Sequence, residues 1–256
     1  MFILALLAIS LLINVPLFLL AYKWQSDKLT DGSYAVSFIA LALVALLASH
    51  LVTVSTLILA AMICIWGLRI GSHLVFRVIT VGKDRRFDGM REDFVSFGKF
   101  WVGQGLVAWL VVLPAALAIK RSAPWHNTMI VGFLMWLIGL LIETAADFQK
   151  ISFHNNASNK GHWIDSGLWR YSRHPNYFGE ILVWSGTYAY AFVTLTGTER
   201  LIGLLSPVLI AGILLFGTGI PILEKSADKR WGKLAAYQQY KARTSILILL
   251  PPTKKK

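Results

Sequence analysis

Residues 128–147 read TMIVGFLMWLIGLLIETAAD, and this stretch decides the class of fold. It has the length, about 20 residues, that an α-helix needs to cross the hydrocarbon core of a bilayer. Its only ionisable side chains are Glu143 and Asp147, close to its end. Six further apolar stretches cover residues 2–22, 34–50, 52–68, 100–119, 176–196 and 201–222. The sequence therefore predicts an all-α, polytopic integral membrane protein with about seven transmembrane helices.

Composition excludes several other classes of protein. Of the 256 residues, 56% are hydrophobic and 15% are charged, which rules out a water-soluble globular, disordered or fibrous chain. The single cysteine, Cys64, excludes a disulfide framework. The six histidines show no ligand spacing and no His-Glu-x-x-His, so we predict no metal site.

The distribution of positive charge predicts the orientation in the membrane. Of the 25 Lys and Arg residues, 22 lie in segments 23–33, 69–99, 148–175 and 223–256, which seven spans place on one side. The positive-inside rule makes that side the cytosol, with the C-terminus cytosolic and the N-terminus outside. Because these residues flank apolar runs, we expect no nucleic-acid partner. Residues 224–243 predict a cytosolic C-terminal helix or, alternatively, an anchor on the membrane surface.

Ionisable groups within apolar spans are costly and indicate function. Glu143 and Asp147 lie one helical turn apart at the predicted cytosolic end of the fifth span, and Glu180 lies within the sixth. The alternative is structural, with these acids closing a loop through ion pairs. Arg69, His73 and Arg77 share one side of a predicted helix, as a functional face or as a basic rim that contacts lipid phosphate.

The run GLWRYSRHPNYFGE at residues 167–180 resembles a signature of the steroid 5α-reductase superfamily and, more loosely, of the isoprenylcysteine carboxyl methyltransferases. The upstream runs ETAADFQK at 143–150 and NKG at 159–161 strengthen the reductase side, as do Trp231, Tyr237 and Tyr240 of the tail. The resemblance covers about residues 60–252 and is strongest over 143–190. It is closest to a bacterial branch of the reductases, which implies a bacterial inner membrane.

The resemblance implies an enzyme that binds NADPH from the cytosol and reduces a C=C bond of a steroid-like or other lipid substrate. Residues 1–256 would form one membrane domain, with the substrate side in 1–99 and the cofactor site in 100–256. Arg173 and His174 are typical of the bacterial branch and of the methyltransferases, and Arg69 matches a basic position after the third span. The positions that match the cofactor motif of the family are Asp147, Tyr171, Asn176 and Glu180.

Elementary chemistry suggests roles for further residues. The phosphates of a dinucleotide need cations and hydrogen-bond donors, which Lys160, Arg170 and Arg173 offer. His73 is the candidate for carbonyl polarisation or proton transfer in catalysis. Flat surfaces for an adenine or nicotinamide ring are offered by Trp169, Tyr171 and Tyr177.

Two alternatives to the reductase stay open: a methyltransferase that uses S-adenosylmethionine, and a non-enzymatic lipid-binding or scaffold protein. Segment 148–175 carries four basic residues and one acidic residue, Asp165, which favours a polyanionic dinucleotide. A cavity shared by Trp169, Tyr171 and Glu180 would favour an enzyme over a scaffold. The chain lacks the Gln-Glu pair by which steroid reductases hold an enone, and Trp66 lies near the position of their Tyr. This difference argues against a 3-oxo-steroid substrate.

Overall fold

The computed structural model describes residues 1–81, 87–122 and 124–253, with side chains throughout except at 75–81. The Arg77 side chain and Lys83, Arg85 and Arg86 of the predicted basic loop lie outside the described residues. Within the described part the chain forms α-helices and no β-strand, which confirms the all-α prediction. The helices are α1 (Phe2–Lys23), α2 (Lys28–Leu47), α3 (Val54–Val81), α4 (Phe94–Lys120), α5 (Met129–Asn155), α6 (Pro175–Phe192), α7 (Thr198–Phe216), α8 (Ile220–Trp231) and α9 (Ala235–Arg243).

Six helical stretches of the described residues are long and apolar enough to cross a membrane, with mean hydropathies from 1.7 to 2.7. The chain is therefore a polytopic membrane protein. The six are Phe2–Lys23, Lys28–Leu47, Val54–Leu74, Phe94–Lys120, Met129–Asn155 and Thr198–Trp231.

Helix α6 differs from the prediction of a span over residues 176–196. It ends at Phe192 after 18 residues and is not one of the six stretches. Polar side chains such as Asn176, Glu180 and Thr187 lower its hydropathy. The predicted tail helix over 224–243 is also two helices, because α8 ends at Trp231 and α9 begins at Ala235.

The chain divides into two compact units. The first unit comprises Met1–Gly132 and Thr187–Ser206, and the second comprises Phe133–Gly186 and Pro207–Lys256. In the first unit a buried polar network joins three helices. The Asn14 amide of α1 donates to Ser37 Oγ of α2 at 2.8 Å, and Gln104 Nε2 of α4 donates to Asn14 Oδ1 at 3.0 Å. Such interhelical hydrogen bonds fix helix orientation where lipid offers no partner.

In the second unit, α5 and α6 pack at very short backbone distance. A Cβ atom added to Gly179 would lie 2.6 Å from the Glu143 nitrogen and 2.7 Å from the Gly139 carbonyl oxygen. Neither glycine can carry a side chain without separating the helices. This small-residue contact, typical of membrane helices, aligns the C-terminal part of α5 with the start of α6.

Candidate functional site

The loop between α5 and α6 is fixed to α5 by a glycine and a glutamine. Gly167 has φ +57, and a Cβ there would lie 2.5 Å from Gln149 Oε1. The same oxygen accepts a hydrogen bond from the Leu168 nitrogen at 2.9 Å. Glycine is required here both for the left-handed backbone and for the close approach.

Trp169 anchors the centre of this loop. Its indole N–H donates to the Ala146 carbonyl on α5 at 3.0 Å, and the side chain is buried. The Tyr240 hydroxyl of α9 donates to the Trp169 carbonyl at 2.9 Å. Lys150 Nζ lies 5.1 Å from the centroid of the Trp169 ring, within range of a cation–π interaction.

The C-terminal segment runs along the other side of the loop. The Arg173 nitrogen donates to the Ser245 carbonyl at 2.8 Å, and Ser172 Oγ donates to the Leu247 carbonyl at 2.6 Å. The backbone around Arg173 is therefore held by residues more than 70 positions away in sequence.

Glu224 of α8 is the centre of a cluster of charges. Its Oε2 atom lies 2.5 Å from Arg173 Nη1 and 3.2 Å from Lys241 Nζ, and its Oε1 atom lies 2.9 Å from His174 Nε2. Lys241 also binds Asp228 at 2.6 Å. Burial alone would lower the pKa of Lys241, but the hydrogen bonds to Asp228 and Glu224 raise it above its ordinary value. Burial lowers the pKa of His174, although the hydrogen bond to Glu224 acts in the opposite direction.

Aromatic rings of the loop and the tail form a second cluster. The Trp163 ring lies 5.2 Å from Tyr237 and 6.2 Å from Trp231, centroid to centroid. The Trp231 indole donates to the Gly161 carbonyl at 2.6 Å. Burial raises the pKa of the Tyr237 and Tyr240 hydroxyls, so both stay protonated at neutral pH.

These two clusters surround a cavity of about 210 Å³ within the second unit. Its lining includes three basic side chains, two histidines and one carboxylate, together with five aromatic rings. These are Lys150, Arg173, Arg230, His154, His174 and Glu224, and the rings are those of Trp163, Trp169, Trp231, Tyr237 and Tyr240. A cavity with cations and flat rings can hold an anionic group next to a planar one.

Three of the predicted cofactor residues line this cavity: Trp169, Arg173 and His174. A cavity shared by Trp169, Tyr171 and Glu180 was expected to favour an enzyme over a scaffold. Trp169 lines the cavity, whereas Tyr171 and Glu180 do not. Tyr171 is exposed and Glu180 is half-buried on α6.

The other predicted residues lie elsewhere. Asn176 Nδ2 donates to Asp147 Oδ1 at 3.1 Å, which joins the start of α6 to α5. The Tyr177 ring stacks on His174 with centroids 5.6 Å apart. Lys160 and Arg170 are exposed and outside the cavity lining, and the half-buried Arg69 and His73 of α3 belong to the first unit.

Sequence reasoning missed several lining residues, of which Glu224 is the most connected. A usable signal existed in the sequence. Glu224 comes two residues after the apolar stretch 201–222, just as Glu143 and Asp147 lie at the end of the apolar stretch 128–147. The rule that flags acids in membrane helices applies equally to it. Trp163 and Arg230 carried no comparable signal in the sequence.

Comparison with known proteins gives one match. No curated protein matches the chain, and no solved structure does. One family model matches residues 17–244, which is most of the chain, and its description is "Protein of unknown function (DUF1295)". The chain is therefore a member of the DUF1295 family.

Proposed function

We propose that this protein is an NADPH-dependent membrane reductase of a C=C bond in a hydrophobic, steroid-like or other lipid substrate. The observation that carries the proposal is the cavity of the second unit, with three cations and five aromatic rings. The resemblance of residues 167–180 to the steroid 5α-reductase superfamily supports the same choice. We further propose that the cavity faces the cytosol of a bacterium, from which a soluble cofactor would bind.

The lining residues fit the chemical parts of a dinucleotide. Lys150, Arg173 and Arg230 would hold phosphate groups, because cations that donate hydrogen bonds bind phosphate strongly. Trp163 and Trp169 would stack on a heteroaromatic ring. Ligand pockets usually measure about 300–1,000 Å³. The cavity is smaller at about 210 Å³, so it would enclose one part of the nucleotide.

NADPH, when bound, supplies the hydride that goes to one carbon of an electron-poor C=C bond. The protein must then polarise the acceptor and deliver a proton to the other carbon. We propose His73 for that proton, because an imidazole can both accept and donate a proton. A catalytic role for His73 predicts that His73→Gln lowers turnover and leaves NADPH affinity unchanged.

The test of the cofactor is thermal stabilisation of the detergent-purified protein by NADPH, NADH and S-adenosylmethionine. A ligand at 100 times its Kd stabilises the folded form by about 2.7 kcal/mol, so NADPH should raise the Tm. Arg173→Ala should remove that rise, whereas Lys229→Ala, on the exposed surface of α8, should not. A rise with S-adenosylmethionine alone would indicate a methyltransferase. A folded protein that responds to none of these ligands would favour the scaffold.

A further inference from the structure

Glu224 accepts hydrogen bonds from three side chains that lie far apart in sequence. Arg173 and Lys241 reach one of its oxygens, and His174 reaches the other, at 2.5 to 3.2 Å. The carboxylate is mostly buried, with 16% of its side chain exposed. Glu224, Arg173 and His174 all line the cavity, so these groups are within reach of a ligand bound there.

The donors around Glu224 are those that bind a phosphate group. A guanidinium, an imidazole N–H and an ammonium group converge on two oxygens of one anion, and arginine in particular matches phosphate geometry. Arg173 also has an unused donor: its Nε atom is buried and has no hydrogen-bond partner among the described residues. A carboxylate therefore satisfies only part of what this site offers.

We propose that Arg173 and His174, with Lys241 beside them, form a phosphate subsite, and that Glu224 is its internal occupant when no ligand is bound. A phosphate of the ligand would displace the carboxylate and take over its hydrogen bonds. Assigning this phosphate to a nucleotide rests on the proposed function, whereas the anion chemistry of the subsite does not. Lys241 keeps a counter-charge after the exchange, because it is also bound to Asp228 at 2.6 Å.

Removal of Glu224 should change ligand affinity in opposite directions, depending on whether Glu224 competes with the ligand or orients the residues that bind it. If Glu224 only positions Arg173 and His174 for the ligand, its removal weakens binding. If it competes with the ligand, its removal strengthens binding, because the phosphate no longer has to break the ion pair. Because hydrogen bonds to a charged group are strong, Glu224→Gln should lower the Kd about tenfold or more.

The experiment measures the Kd of NADPH and of inorganic pyrophosphate for the full-length protein and for Glu224→Gln. Asp165→Asn is the matched control, since it removes the same charge from the same unit but outside the cavity lining, and leaves the contacts of Glu224 to Arg173, His174 and Lys241 in place. We expect tighter binding of both probes to Glu224→Gln and little change for Asp165→Asn. Unchanged or weaker pyrophosphate binding to Glu224→Gln would overturn the internal-occupant role.

Two further readouts keep this inference separate from the proposed function. If pyrophosphate binds Glu224→Gln more tightly while NADPH binds neither protein, the phosphate subsite stands and the reductase proposal fails. If Glu224→Gln does not fold, Glu224→Asp keeps the charge but shortens the side chain, so it should hold Arg173 and His174 less well. An intermediate gain in pyrophosphate affinity then supports the proposal, and a loss contradicts it.

Discussion

At the scale of single residues, His174 links the site to pH. Burial lowers the pKa of its imidazole from the ordinary 6.5. The Glu224 carboxylate acts to raise this pKa, whereas the positive charges of Lys150 and Arg173 lower it further. The unfolded chain therefore binds a proton more readily than the folded one. The contribution of neutral His174 to the free energy of unfolding is therefore present above about pH 6.5 and is lost as the pH falls below that value.

We therefore expect the Tm to fall between pH 7 and pH 5, and to fall less in His174→Gln. In a protein of this size, each kcal/mol lost from the free energy of unfolding lowers the Tm by about 2–4 °C. Differential scanning fluorimetry over this pH range measures the effect. The control is His162→Gln, an exposed histidine of the same loop, which should behave as the wild type does. Parallel pH profiles for His174→Gln and the wild type would contradict the assignment.

Sequence reasoning found part of the site because local chemistry marks single residues. Arg173, His174 and Trp169 stood out within one short run, and all three line the cavity. Glu224 was missed although it ends an apolar stretch, because its contacts are with a loop about 50 residues earlier in the chain. Asp147 and Asn176 were expected to bind the cofactor, and the structure shows that they bind each other. Local patterns identify reactive residue types, whereas pairing depends on tertiary packing.

At the scale of helices, the contact between α5 and α6 positions the start of the loop and its end. Gly179→Ala should destabilise the second unit by about 1–3 kcal/mol, the usual cost of an overpacked contact. The added Cβ would meet backbone atoms of Glu143 and Gly139, which cannot move aside as a side chain can. Thermal unfolding in detergent measures the loss.

The matched control for this prediction is Gly212→Ala in α7. Nothing lies within 4 Å of a Cβ at that position, so the substitution should leave the Tm unchanged or raise it slightly. Equal Tm values for the Gly179 and Gly212 variants would show that α5 and α6 do not depend on this close approach.

The helices themselves were predictable because an apolar run is a local property of the chain. Residues 2–22 and 128–147 correspond to α1 and to most of α5. The exception is α6, where a predicted 21-residue span is an 18-residue helix that carries Asn176 and Glu180. Polar side chains within a helix lower the hydropathy by which a span is recognised.

At the scale of the whole molecule, the charge of the loops bears on whether α6 crosses the membrane. If α6 does not cross, α7 carries the tail after Glu224 to the side opposite segment 148–175. That tail has nine of the 25 basic residues, so this arrangement breaks the positive-inside rule. If α6 crosses, the tail and segments 69–99 and 148–175 share one side. We therefore predict that α6 crosses and that the C-terminus faces the cytosol.

Reporter fusions test this topology. Green fluorescent protein fused after Lys256 should fluoresce, and alkaline phosphatase fused there should be inactive, since each reporter matures on one side of a bacterial inner membrane only. Phosphatase inserted between Arg121 and Met129 should be active, which controls for expression and places the α4–α5 loop outside. An active phosphatase after Lys256 would mean that α6 does not cross. Segment 148–175 and the tail, which line the cavity together, would then lie on opposite sides of the membrane. The cavity could not form, and the reductase proposal would fail with the topology.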